Sequence, residues 1–189
     1  SYGATTSLLV LLEIIWCYWQ AAGRLQKTQN DITCKMCEAI KSFNSKTHDL
    51  LLLGGATHTV KLKQITTKNL ALSAASLHFL INIIPNIKLR NVAIGASDEL
   101  VNLQFTDVNK SLEAHLNQIL DKIIEVMSFV ISKKCQNAVF TPQQNSPFVQ
   151  EIIQEVNTLN KSISDCLPSE LTKIIFKKVA EKISNEMSK

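Results

Sequence analysis

The sequence predicts an all-α protein built from a few long helices. Its 189 residues include only 5 glycines and 4 prolines, each less than half of the average usage of about 7% and about 5%. A β-sandwich or barrel of this length needs many tight turns rich in such residues. Apolar residues make up 46% of the chain, which argues against general disorder. Apolar positions that recur every three or four residues then locate the helices.

The first helix is expected over residues 4–22, ending near Gly23. Its residues 8–19, LLVLLEIIWCYW, are almost continuously apolar. This run is shorter than the roughly 20 apolar residues of a membrane span, and it contains Glu13. A signal peptide needs a basic region before the apolar one, but no Lys or Arg precedes Arg24. We therefore expect no transmembrane segment but a helix buried on most sides, with some of its partners upstream of this chain.

The third helix is expected to be the centre of the fold. A second helix begins near Asn30 or Asp31, shows a regular apolar stripe and ends before the glycine pair at 54–55. The third then covers about 58–84 and ends at Pro85. Its apolar residues occupy more than half of its circumference and the remaining arc carries little charge, so neighbours should contact it on most sides. Its expected core residues are Ile65, Leu70, Leu77, Leu80 and Ile84.

The fourth helix predicts an elongated molecule. Ser97 is a good N-cap, and acidic residues follow it in the first turn. A helical apolar stripe continues to Val130, and a continuous helix over 98–135 would be about 57 Å long. That length is typical of a rod.

Two shorter helices complete the chain. Residues 136–146 form a polar loop, a fifth helix starts at Pro147, and a sixth follows Pro168. We expect two domains, a helical bundle over 1–90 and a C-terminal bundle over 91–189.

Cys34 and Cys37 form the one short motif associated with metal or redox chemistry. A structural zinc site needs about four ligands, and neither a second CxxC nor an HxxxH pair exists. A thioredoxin-type motif follows a strand, whereas this one lies inside a helical pattern. The odd total of 5 cysteines indicates free thiols in a reducing compartment, and we expect one buried and one half-exposed thiol here.

No catalytic or cofactor-binding site is expected. Nucleophile-elbow, dinucleotide and P-loop glycine patterns are missing from the sequence. Carboxylates along the fourth helix fit its solvated face, and no basic stripe with interleaved aromatics indicates nucleic acid. The histidines, each expected at the surface or its boundary, are His48, His58, His78 and His115.

The positive charge is concentrated rather than spread. The net charge is +4, yet residues 61–96 carry five basic residues and no acid. The lack of acidic residues in this stretch indicates above all that it is buried. The basic residues near its two ends could contact an anionic partner. The sixth helix mixes lysines with glutamates, which fits a solvent face or, alternatively, a weak contact with anionic membrane.

Residues 40–87 resemble a known family. The segment contains Phe43-Asn44-Ser45, a glycine turn, then Leu62-Lys63 with ITTKNLALS over 65–73, and Ile84-Pro85. This pattern is similar to the C-terminal region of the vacuolar protein sorting-associated protein 54 family, a subunit of the Golgi-associated retrograde protein (GARP) complex. Leu167-Pro168-Ser169-Glu170 is a weaker match.

The resemblance implies stacked antiparallel helical bundles of the kind found in multisubunit tethers, the CATCHR group. It implies a non-catalytic subunit in retrograde transport from endosomes to the trans-Golgi network, working on the cytosolic face of these membranes. The implied partners are the other GARP subunits, SNAREs, small GTPases and endosomal or vesicle membrane factors. An alternative is a helical rod of another tether, such as the exocyst or the conserved oligomeric Golgi complex. The residues expected to contact a partner or membrane are Lys61, Lys63, Thr67, Lys68, Lys88 and Arg90.

Overall fold

A computed structural model describes residues 3–25, 27–55, 64–136 and 147–187. These residues are helical apart from short caps and turns and contain no strand, which confirms the predicted all-α class. The helices are α1 (Thr6–Arg24), α2 (Gln29–Leu51), α3 (Thr67–Ala93), α4 (Asp98–Gln136), α5 (Pro147–Ile163) and α6 (Ser169–Met187).

Helix α1 buries one face against the other described helices. Thr5 caps it by accepting a hydrogen bond from the Leu8 backbone N–H at 3.3 Å. Leu8, Leu11 and Ile15 are buried, but the opposite face remains exposed. The apolar run predicts a helix buried on most sides with some of its partners upstream of this chain, so cover of the opposite face stays a prediction. The exposed large apolar residues of α1 are Leu9, Val10, Ile14 and Trp16.

Helix α3 begins later than predicted because of a capping box. The Thr66 Oγ1 accepts from the Asn69 backbone N–H at 3.2 Å, and the Asn69 Oδ1 accepts from the Thr66 backbone N–H at 3.0 Å. This reciprocal pair satisfies free donors at the start of a helix. Residues 64–66 precede the helix and are not helical. The first residues of the predicted helix, 58–63, lie outside the described residues.

Helix α3 also ends later than predicted, since it continues through Pro85 to Ala93. A proline inside a helix removes one backbone donor and bends the helix. Pro85 lies on the exposed side of α3, so the bend costs little core packing. The expected connector over 85–96 therefore reduces to a short turn at Gly95, whose φ of +99° is a conformation that favours glycine.

The long helix α4 is the element against which most others pack. Its 39 residues give a length of about 58 Å, which confirms the predicted length of this helix. It contacts α2, α3, α5 and α6. Buried residues from all six helices form one hydrophobic cluster. The expected division into bundles over 1–90 and 91–189 stays a prediction; residue 90 lies inside α3.

Helix α3 carries small side chains at buried positions that face its neighbours. A helix with Ala and Ser at its contacts lets a second backbone approach more closely than Leu would. Helix α3 contacts α2, α4 and α5, and Ser76 joins it to the start of α1 by accepting from the Thr5 backbone N–H at 2.9 Å. The buried small residues of α3 are Ala71, Ser73, Ala74, Ala75 and Ser76.

One buried amide ties α2 to α3. The Asn91 side chain is fully buried and donates to the Ile87 carbonyl at 2.8 Å. The Thr33 hydroxyl donates to Asn91 Oδ1 at 3.1 Å. Buried polar groups are tolerated when their hydrogen bonds are made, so this pair fixes the register between the two helices.

Substitution of Leu80 by Gln should destabilise the protein by roughly 3 kcal/mol, since Leu80 is fully buried and the amide would lose its hydration. The matched control is Leu89→Gln on the same helix, where the side chain is exposed and the cost should stay within about 0.5 kcal/mol. Urea unfolding measures both. Equal midpoints for the two variants would show that α3 does not face the core as described.

Candidate partner-binding surface

The predicted contact residues do not form one surface. Lys61 and Lys63 lie outside the described residues. Lys68 is exposed in the first turn of α3, beside the half-buried Thr67, whereas Lys88 lies near the other end of the helix. Twenty residues of helix separate Lys68 from Lys88, a distance of about 30 Å. A partner would have to contact the two ends independently.

The five predicted core residues lie along α3 and just before it. Four of them are buried within the cluster, and Ile65 is partly buried against it. These buried residues hold α3 in the core, so contacts with partners must be made by other residues.

Arg90 contacts aromatic side chains of α1. Its guanidinium carbon lies 4.8 Å from the ring centre of Trp19 and 5.5 Å from that of Trp16. A cation over an aromatic ring is attracted by the negative face of the ring. The Trp19 indole N–H is buried and has no hydrogen-bond partner among the described residues. Trp19 therefore contacts Arg90 through the face of its ring. Arg90 thus holds the end of α1 on α3.

Lys88 lies on the wall of a groove between α3 and α4. The groove has a volume of about 880 Å³, within the range of pockets that bind ligands. Apolar residues of α3 form its floor, including Pro85 and Leu89, while α4 contributes polar residues. Among the described residues, Lys88 makes no ion pair within 4.0 Å. The lining residues are Ile81, Asn82, Ile84, Pro85, Lys88, Leu89, Val92, Ala93, Asp98, Asn102, Thr106 and Asn109.

Two described helices are long and apolar enough to cross a membrane by length and composition, α1 and α3. In α3, 56% of the apolar window is buried inside the bundle, as in a core helix, whereas 22% of the α1 window is buried. The expectation that the chain has no transmembrane segment stays a prediction.

The cysteine pair is a packing feature. Cys37 is buried and Cys34 is half-buried, as the sequence predicts. Burial, with a smaller contribution from Cys34, raises the pKa of the Cys37 thiol to about 12. Because the thiolate is the reactive form, Cys37 is unreactive near neutral pH. In the part of the chain that the structure describes, no cluster of three or more His, Cys, Asp or Glu side chains could hold a metal ion.

His115 is buried, against the expectation that it lies at the surface or its boundary. Only 3% of its surface is exposed. Its Nδ1 lies 2.7 Å from Asn44 Oδ1, and Asn44 Nδ2 donates to Ser111 Oγ at 2.7 Å. The ring centre of His48 lies 5.1 Å away. Burial, with a smaller effect from His48, lowers the pKa of His115 to about 4.

The sequence gives no direct sign of this network. His48 and His78 are half-buried at the boundary, as predicted, and His58 lies outside the described residues. His115 occupies a buried position on α4, on the side that faces α2. Asn44 of α2 forms the hydrogen bond with its ring. The i, i+3 and i, i+4 pattern of buried residues on α4 could have placed His115 in the core.

These features define a class of protein, an all-α helical bundle with exposed apolar residues on α1 and an open groove between α3 and α4. A family model for Vps54-like protein matches residues 1–129. The chain belongs to the Vps54-like family.

Individual relatives extend the similarity over nearly the whole chain. Vacuolar protein sorting-associated protein 54 of Rattus norvegicus is 28% identical over 179 residues, which cover 94% of this chain and 18% of that protein. The protein of the same name from Homo sapiens is 28% identical over the same length, and that of Caenorhabditis elegans is 24% identical over 183 residues. The chain therefore spans less than a fifth of the length of these relatives. No solved structure matches.

Removal of the Arg90 guanidinium should loosen the end of α1. We expect Arg90→Ala to lower the free energy of unfolding by about 1 kcal/mol, the usual size of a cation–π contact. The chain has 2 tryptophans, Trp16 and Trp19, and Arg90 lies over both rings, so tryptophan emission is sensitive to this contact. The control is Lys68→Ala on the same helix, which should leave the emission unchanged. An unchanged Arg90→Ala spectrum would contradict the stacking.

Acidification should destabilise the protein through His115. The unfolded chain takes up a proton at this side chain near pH 6.5, whereas the folded protein resists protonation until about pH 4. The free energy of unfolding should therefore fall between these two pH values, by about 3 kcal/mol at most.

The variant His115→Gln does not titrate, so its difference in stability from the wild type should shrink as the pH falls from 7 to 4. Urea unfolding at several pH values measures that difference. A constant difference would show that His115 is not the group responsible.

Proposed function

We propose that this chain is a non-catalytic part of a vesicle-tethering subunit that works in retrograde transport from endosomes to the trans-Golgi network. The observation that carries the proposal is the Vps54-like family match over residues 1–129. The same match favours this tether over the exocyst or the conserved oligomeric Golgi complex, which the sequence alone leaves as alternatives.

The physical properties of the fold support a binding role. A tether needs reach and several separate contact surfaces, and α4 supplies a rigid element about 58 Å long. The chain leaves apolar residues exposed on α1 and in the α3–α4 groove, where contiguous apolar surface marks interaction sites. The buried thiol and histidine have pKa values far from neutrality, in keeping with packing roles.

The finer parts of the proposal concern partners and place. The other GARP subunits, SNAREs, small GTPases and membrane factors of endosomes or carriers are the proposed partners. The proposed location is the cytosolic face of the trans-Golgi network and endosomes, and this chain would be the end directed to endosomal membrane or carriers. Basic residues at the two ends of α3, Lys68 and Lys88, remain the proposed contacts, together with Lys61 and Lys63.

The test uses the full-length protein in cells from which the resident copy has been removed. We expect the wild type to restore retrieval of an endosomal cargo receptor to the Golgi, and a version lacking residues 1–189 to assemble with its partner subunits but fail in retrieval. Live imaging of the receptor measures retrieval, and co-purification of the subunits measures assembly. Full retrieval without residues 1–189 would overturn the proposal.

A further inference from the structure

The seam between α3 and α4 is covered at one end. Helix α5 packs on both helices there. The turn after α5 contacts the same region, because the Cys166 carbonyl accepts from the Gly3 backbone N–H at 3.4 Å and Gly3 lies against Leu72 of α3. At the start of α6, Glu170 Oε1 lies 2.9 Å from His78 Nε2. From residue 78 towards the N-terminus of α3, the seam is therefore filled.

Beyond His78 the same seam is open. The groove follows α3 from Ile81 to Ala93 and α4 from Asp98 to Asn109. Leu89 is 70% exposed and Val92 37% exposed on its floor. The groove thus continues an interface that already binds a helix, but without its own occupant among the described residues.

The dimensions of the groove fit a helix. The groove spans 13 residues of α3, Ile81–Ala93, and 12 residues of α4, Asp98–Asn109, a length of about 17 Å, or three helical turns. A helix that lies between two antiparallel helices places apolar residues at i, i+3 or i+4, and i+7 on the floor. Such a helix would extend the layer that α5 begins.

The charges of the groove indicate which helix it would accept. Lys88 stands at mid-length and makes no ion pair among the described residues, so it favours a carboxylate opposite it. Asp98 lies at the end near the Gly95 turn. Because residue 85 is proline and has no N–H, the Ile81 carbonyl cannot receive the usual helical hydrogen bond and can accept one from a polar side chain.

We infer that the open end of the α3–α4 seam binds an amphipathic helix of a partner protein, with an Asp or Glu facing Lys88. The inference deepens the proposed function, on which it rests for the view that the chain works through protein partners. Leu89 and Val92 supply the apolar contact, and the asparagine amides on the rim supply hydrogen bonds. An isolated lipid headgroup would use Lys88 but not the three-turn apolar floor.

Site-specific photo-crosslinking in the full-length protein within its assembled complex tests this inference. A benzophenone side chain replaces Asn102 on the groove wall or, as the control, Leu103, which is exposed but lies outside the groove lining. Mass spectrometry identifies the captured segment. We expect Asn102 to capture a segment with apolar residues at helical spacing and an acidic residue among them, and Leu103 not to capture it.

Matched variants measure the contribution of each contact. Leu89→Ser should lower the crosslinking yield at position 102 about fivefold or more, whereas Leu103→Ser should leave it within about twofold. Lys88→Glu should lower the yield to a similar extent, and changing the acidic residue of the captured segment to Lys should restore it. Unfolding midpoints confirm that each variant is folded.

Several results would overturn the inference: no capture at position 102, capture of lipid, capture of a second copy of this chain, or capture of a segment without an apolar pattern. Failure of the charge exchange to restore binding would also overturn it. The proposed function fails separately. If retrieval requires residues 1–189 but is normal in the Lys88→Glu variant, the groove inference alone is wrong. If position 102 captures the expected helix but the version lacking residues 1–189 shows no retrieval defect, the proposed function alone is wrong.

Discussion

The contact between α3 and α4 is the interaction on which the rest of the structure depends. The two helices run antiparallel about the turn at Gly95, and small residues such as Ala74 and Ser76 on α3 are buried at its helix contacts. Helices α2 and α5 each pack on both α3 and α4. The Thr66–Asn69 capping box fixes where α3 starts, so the family motif ITTKNLALS both begins the helix and supplies its buried face. Replacement of the fully buried Ala74 by a larger residue would displace its neighbours in the core.

The same contact explains why one face of the molecule remains open. Among the described residues, α5, the turn after it and Glu170 at the start of α6 lie on this face of the seam, and Glu170 contacts His78. A proline at residue 85 is acceptable in α3 because its side of the helix is exposed. The half of the pair towards Gly95 still buries Ile84, Ile87 and Asn91 on one side of α3, and its groove side is the surface that we propose for a partner.

The sequence predicts where the helices lie along the chain better than it predicts how they pack against each other. The apolar stripe and acidic first turn of α4 predict its span, because helical periodicity is local information. The start of α3 is missed because Thr66 and Asn69 read equally well as buried polar residues, and the box uses Asn where Glu or Gln is usual. Pro85 predicts a helix end, but the exposure that makes it tolerable depends on tertiary packing.

The same limit applies to the candidate contacts. Lys88 and Arg90 are two residues apart, yet the structure places Lys88 in the groove and Arg90 on the tryptophans of α1. Local charge does not distinguish them, because the distinction depends on which helices lie on each side of α3. The burial of His115 could have been found from the helical pattern of α4, but its contact with Asn44 depends on how α2 packs on α4.

Hydrogen exchange of the full-length protein, alone and in its assembled complex, tests the central role of the α3–α4 seam most directly. Backbone amides over residues 70–80 should exchange slowest in both states, since they lie in the covered half of the seam. Amides over 82–93 and 98–109 should exchange more slowly in the complex than in the free protein, while those of α2 should not change. Equal exchange of the two groove segments in both states, or fastest exchange over residues 70–80, would contradict the account.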